Sequence, residues 1–210
     1  MIRIVTLARE YGSGGGIIAR TIADKLGWTL LDGKLLSVLR SSVPIDAETV
    51  RRYDERVDSW WRRFNHNGLR AAAILAGMNP DDALFGAEAI AELTLEAILE
   101  AARIGDFVIV GRGAQCVLQG CKEALHVFIY APWENRVSRV YARAEPHHKI
   151  EELIRSTDQE RASYIRTFYG GDWKDPGLYH LMINSQIGID KAARMIVNTV
   201  GKSHSRGQFA

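Results

Sequence analysis

The apolar positions of this chain change period as the sequence runs. Ile2–Leu7 is a short, mostly branched apolar run and reads as a strand buried on both faces. Glycine-rich residues 12–16 follow. From Ile17 to Leu26 the spacing turns helical, with Ile18, Ile22 and Leu26 four apart and Gly27 as a stop. Trp28–Leu31, Phe107–Val110, Leu125–Tyr130 and Leu181–Asn184 are further short apolar runs, each predicting a strand. Between them residues 34–104 read as mostly helical, with a start at Asp46, a turn at Asn79-Pro80-Asp81-Asp82 and the clearest period over Ala87–Ile104. Three more helices are predicted: one from Pro132 that carries Arg136, Arg139 and Arg143 and breaks at Pro146, then Ile150–Tyr169, then Ile189–Val200.

Strands that are apolar throughout and alternate with helices predict an α/β fold, a parallel sheet flanked by helices. Ligands of such sheets bind beyond the carboxyl ends of the strands, which is where the chemically suggestive residues of this chain fall.

Composition adds exclusions. The 210 residues are 47% hydrophobic and 25% charged, an ordinary globular balance, with a net charge of +2. That charge asks for neither nucleic acid nor a membrane as partner, while a small phosphorylated ligand needs only local charge. Trp60, Trp61 and Phe64 interleave with Arg62 and Arg63, but with Val57 they form a helical apolar stripe, which favours core packing over base stacking. The two cysteines, Cys116 and Cys121, read as buried thiols in a reducing compartment. His126 is the one further metal ligand near them and His147-His148 has no companions at ligand spacing, so no metal site is expected. Arg3 and Arg9 interrupt any signal-peptide core, and no apolar run approaches the ~20 residues of a membrane span. The expectation is a cytoplasmic protein. A homodimer is left open.

Four places could carry chemistry. Arg9-Glu10-Tyr11-Gly12-Ser13-Gly14-Gly15-Gly16 lies between a strand and a helix, the layout in which backbone N–H groups and a helix N-terminus cradle phosphate; a ligand-free turn is the plainer alternative. Against G-x-x-x-x-G-K-[ST], Gly15 stands at the lysine and Gly16 at the hydroxyl, so a cation must come from elsewhere, and Arg9 is nearest in sequence. Arg112 follows a buried strand and could fork onto an anion, or simply close the strand. Arg155, Asp158 and Arg161 recur every three residues on one helix, either as two arginines primed by a carboxylate or as a solvated face. Asp32 ends the second strand, where it could hold substrate, reach Mg²⁺ through water, or cap a helix.

With these motifs in view the chain resembles the cytidylate kinase-like family. The likeness rests on Arg9-Glu-Tyr-Gly-Ser-Gly-Gly15, Val108-Ile-Val-Gly-Arg112, Phe128-Ile-Tyr-Ala-Pro132, Glu160-Arg-Ala-Ser-Tyr164, Gly171-Asp-Trp173, the stretch from Asp175-Pro176 to Asn184, and Gly188–Ala193. It covers about residues 1–200. The resemblance implies one P-loop kinase domain with a helical monophosphate-binding insertion at about 34–104 and a closing lid at about 145–176, followed by a polar tail over 201–210. It implies ATP and Mg²⁺ as cofactors and γ-phosphoryl transfer to a nucleoside monophosphate, CMP or dCMP. Arg9 and residues Gly12, Ser13, Gly14, Gly15 and Gly16 would hold ATP, Arg112 and Asp32 the acceptor, and Arg155, Asp158 and Arg161 would serve the transfer. Relatives usually have aspartate after the arginine, where Gly113 stands here, and Arg-Glu after the double glycine, where Gly16-Ile17 stands. Arg155 is one place out of register with the family's second lid arginine. A non-catalytic nucleotide-binding regulator and a kinase for another small acceptor are the alternatives.

Overall fold

The computed structural model of the chain describes residues 1–32, 94–143 and 149–205. The expected features at Asp46, Val57–Phe64, Asn79–Asp82 and His147-His148, and most of the expected insertion, lie outside the described residues.

Strand β1 (Ile4–Arg9) leads through the glycine loop into helix α1 (Gly15–Leu26) and strand β2 (Thr29–Leu31). Helical residues 94–104 (α2) precede β3 (Phe107–Val110), a one-turn helix α3 (Ala114–Val117), β4 (Ala124–Tyr130) and α4 (Trp133–Tyr141). Then come α5 (Ile150–Tyr169), a short 3₁₀ turn, β5 (Leu181–Asn184) and α6 (Ile189–Ser205). The five strands form one parallel sheet in the order β2-β3-β1-β4-β5. β1 is central, with Thr6 opposite Ile109 on one side and His126 on the other.

Alternate side chains of the central strand point to opposite faces, and both faces are covered. Val5 and Leu7 pack with Ile18, Ile22, Val127 and Ile196, beneath α1 and α6. Ile4 packs with Leu31, Ile98, Ile109 and Leu118 on the other face. Farther along that face Ala8 meets Phe128, Ile165 and Trp173, which brings α5 against the carboxyl end of the sheet.

One polar pair sits inside. The Thr6 hydroxyl lies 2.8 Å from His126 Nδ1, and His126 Nε2 lies 3.2 Å from the carbonyl of Leu118. A carbonyl only accepts, so Nε2 carries the proton and Nδ1 accepts from Thr6. Burial, followed by the charge of His180 stacked 4.9 Å away, pushes His126 down to about 4 and keeps it neutral.

The predicted strands are all present; β1 starts two residues later than its apolar run and extends to Arg9. α1 begins at Gly15, inside the glycine run, α4 ends at Tyr141 rather than at Pro146, and α6 continues past Val200 to Ser205. Among the described residues no helix is long and apolar enough to cross a membrane.

Candidate functional site

β1 is the middle strand, so the loop that leaves it emerges over the centre of the sheet. Gly12 and Gly14 have φ of 78° and 83°, a region that glycine enters without strain, and Gly14 is the N-cap of α1. The N–H groups of Gly14, Gly15 and Gly16 find no acceptor among the described residues, and the first turn of α1 holds no acid. A row of free donors at the positive end of a twelve-residue helix is a place for phosphate. Gly16 offers no hydroxyl to this loop.

The loop is held from below by side chains of other elements. Arg139 of α4 donates to the carbonyl of Ser13 at 3.0 Å and to Ser185 Oγ at 3.0 Å, while Ser185 Oγ donates to Ser13 O at 2.5 Å. Ser13 Oγ in turn donates to the carbonyl of Glu10 at 2.8 Å. Arg136, also on α4, donates from Nε to the carbonyl of Tyr11 at 2.7 Å and pairs with the carboxylate of Asp158. It also lies 3.4 Å from Glu10, whose other oxygen binds Lys174 at 2.6 Å. The N–H of Tyr11 donates to Asp158 at 2.7 Å. Loop, α4 and α5 therefore share one buried network of alternating charge.

Beside the loop a cavity of about 410 Å³ opens between the ends of β1 and β3 and the inner side of α5. Arg9, Arg112 and Arg161 all line it, with Gln115, Glu160, Tyr164 and Trp173. Burial first, then the charges of Arg161 and Arg112, push Arg9 down to about 10, against the opposing pull of Asp32. Burial likewise lowers Arg161, with Asp158 acting against it. A buried arginine that two neighbouring cations push down lies in a site that an anion relieves. Arg112 has φ of 60°, unusual for a residue with a side chain. At Gly113 the ring of Tyr169 occupies the space that a Cβ would need, so an aspartate there would have to displace that ring.

The model of the cytidylate kinase-like family matches residues 4–187. The chain belongs to the cytidylate kinase-like family. Cytidylate kinases of Methanosarcina acetivorans and Methanosarcina mazei are 30% and 29% identical to it over 83 residues, 39% of this chain and 46% of each relative. The match thus spans under half the length of these curated relatives. An uncharacterised protein of Eubacterium ventriosum has a similar structure, with a TM-score of 0.68 at 21% identity over 96% of this chain and 99% of that one. A shikimate kinase of Bacteroides thetaiotaomicron gives a TM-score of 0.50 at 15% identity, with the same coverage. Identities this low speak to the fold, which is that of P-loop kinases.

Within this cytidylate kinase-like fold, Arg9, Arg112 and Arg161 come together around one cavity, and Asp32 lies close enough to act on Arg9. Asp158 faces the glycine loop and Arg136. Arg155 lies apart: it is 69% exposed, pairs with Glu151 at 3.7 Å and stacks on Trp133 at 4.7 Å. Arg136, Glu10, Arg139 and Lys174 belong to the site without having been singled out. A signal for Arg136 was present, because it sits four residues before the buried Val140 on the core side of its helix.

Proposed function

We propose that the protein transfers the γ-phosphoryl group of ATP to a nucleoside monophosphate, with CMP and dCMP the acceptors its family points to. One observation carries the reading: Arg9, Arg112 and Arg161 line one cavity, and the stem of Arg9 packs against the loop of free N–H donors at Gly15. Two anionic ligands placed in loop and cavity would meet between them.

In this scheme the ATP phosphates rest on the N–H groups at the start of α1. Mg²⁺, when bound, draws charge from the phosphate oxygens and is held mainly by them and water. Arg112 grips the acceptor phosphate with its planar fork. An acceptor phosphate oxygen attacks the γ-phosphorus as the bond to the ADP oxygen breaks. Arg161, carried by α5 as the lid, neutralises the migrating group, and Asp158 fixes α5 against the loop. Such catalysis is positioning and electrostatics, with no covalent step on the protein. Arg155, exposed and paired with Glu151 and Trp133, is assigned no phosphate in this scheme.

The second reading is a nucleotide-binding regulator, favoured by the bare Gly15 and Gly16. The test is a panel of monophosphates and other small acceptors incubated with ATP and Mg²⁺. The expected result is formation of a nucleoside diphosphate together with ADP. ATP binding without transfer to any acceptor replaces the kinase reading with the regulator.

A further inference from the structure

Glycine at position 15 is dictated by Arg9. Residue 15 is the first of α1 and is absent from the positive-φ positions, so its backbone does not ask for glycine. A Cβ there would lie 2.6 Å from Arg9 Cβ and 2.9 Å from Arg9 Cγ, closer than carbon atoms approach. The stem of Arg9 fills the space through which a side chain would leave position 15. Its other end crosses to β3, where Nη1 occupies the place that a Cβ on Gly111 would take. The side chain thus starts against the glycine loop and delivers its charge into the cavity beside Arg112 and Arg161. Arg161 reinforces this path, donating to the carbonyl of Arg9 at 2.7 Å.

Position 15 is where G-x-x-x-x-G-K-[ST] loops carry the lysine that reaches the β- and γ-phosphates. Resting on the kinase reading above, we infer that Arg9 is the catalytic cation of this site. It reaches the phosphoryl group from the end of β1, and Gly15 is glycine so that the stem of Arg9 can pass. A lysine at 15 and the side chain at 9 exclude each other from the Cβ outward. The Arg9 side chain runs from Gly15 to Gly111, beside Arg112, so the guanidinium faces the cavity from the end of the loop.

The experiment compares wild type, Arg9→Ala, Gly15→Lys and the double variant Arg9→Gly/Gly15→Lys, with glycine at 9 because alanine would keep the Cβ that lies 2.6 Å from a Cβ at 15. Each is measured by melting temperature, calorimetric binding of Mg·ATP, and transfer to the acceptor that wild type uses best. Arg9→Ala should stay folded and lose on the order of a hundredfold in turnover. Gly15→Lys should melt earlier and turn over poorly, because its stem meets that of Arg9. The double variant should regain the melting temperature and recover roughly tenfold or more over Arg9→Ala. Gly15→Lys as stable and active as wild type overturns the inference, and so does a well-folded double variant no faster than Arg9→Ala. Should wild type transfer phosphate to no acceptor, the kinase reading falls and ATP binding carries the test. Loss in Arg9→Ala with recovery in the double variant then keeps Arg9 as the phosphate cation, while equal binding by all four proteins overturns it.

Discussion

Asp158, in the middle of α5, accepts the backbone N–H of Tyr11 at 2.7 Å, so a helix far along the chain holds the loop that precedes α1. The same carboxylate pairs with Arg136, whose side chain is only 7% exposed. Removing one partner of such a pair leaves a buried charge short of compensation. Asp158→Ala should therefore cost about 3 kcal/mol of stability, read by urea unfolding. Asp158→Asn, which keeps an oxygen for Tyr11, should cost less. Wild-type stability in the alanine variant would remove Asp158 from this role.

The glycine loop can be probed at one position without disturbing its packing. Gly14 is unsuitable: its φ is 83° and Ile189 fills the space beside it, so Gly14→Val would fail for reasons unrelated to nucleotide. Gly16 has nothing within 4 Å of where its Cβ would stand. Gly16→Glu should leave the melting temperature within a degree or two, since small surface changes are worth about 0.5 kcal/mol or less, and weaken ATP roughly tenfold by repulsion. Gly16→Arg, which adds a cation at the same place, should bind ATP at least as tightly as wild type. Calorimetry that finds all three proteins alike moves the phosphate site elsewhere.

At Arg112 stability and function should part. Its φ of 60° is strained for any residue with a Cβ. Arg112→Gly should raise stability by about 1 kcal/mol while abolishing acceptor affinity and sparing ATP. Arg112→Lys should rescue the acceptor poorly, because it lacks the planar fork. Acceptor titrations that are unchanged in the glycine variant count against the assignment.

What could be read in advance follows from the range of each interaction. β3, β5 and α5 begin and end where the apolar period places them, because strand and helix burial is written in neighbouring residues. Gly12–Gly16 and Arg112 were legible because they sit at strand ends, a consequence of topology alone. The Arg136–Asp158 pair spans 22 residues and the Arg136–Tyr11 bond spans 125, and no local pattern announces either. Nor does spacing foretell α3, a four-residue helix too short to show a period. Arg155 and Arg161 looked alike on a three-residue count. Six residues of α-helix, at about 100° each, leave them about 120° apart, so one reaches Arg9 while the other stacks on Trp133.

Acid should unfold this protein partly through His126. Its folded pKa of about 4 lies below the usual value of 6.5, so between those pH values the unfolded chain binds a proton that the native state refuses. Stability from this group is complete above about 6.5 and falls as pH drops towards 4, by on the order of 3 kcal/mol across the window. His126→Gln, able to keep one bond to Thr6 or Leu118, should be less stable at pH 7 and show a shallower decline below pH 6.5. Parallel melting-temperature curves for the two proteins would show that His126 titrates freely.

The two arginines of α5 separate an enzyme from a binding protein. Arg161 donates to Arg9 O at 2.7 Å, lies 3.7 Å from Asp158 and stands over the ring of Tyr11 at 5.7 Å, so its position is defined by the glycine loop itself. Among the described residues, Arg155 is tied only to residues outside the cavity. If closure of α5 carries positive charge to the phosphoryl group as it migrates, Arg161 is needed most in the transition state and little in the ground state. Arg161→Ala should then lower turnover by on the order of a hundredfold while ATP affinity changes by less than about threefold. Arg155→Ala, removing one exposed stacking contact worth about 0.5–1 kcal/mol, should slow turnover no more than about threefold. Steady-state transfer and equilibrium ATP binding on the two variants supply the comparison. Equal losses in both would mean that α5 acts only as a rigid wall, because a wall has no reason to distinguish an inward arginine from an outward one.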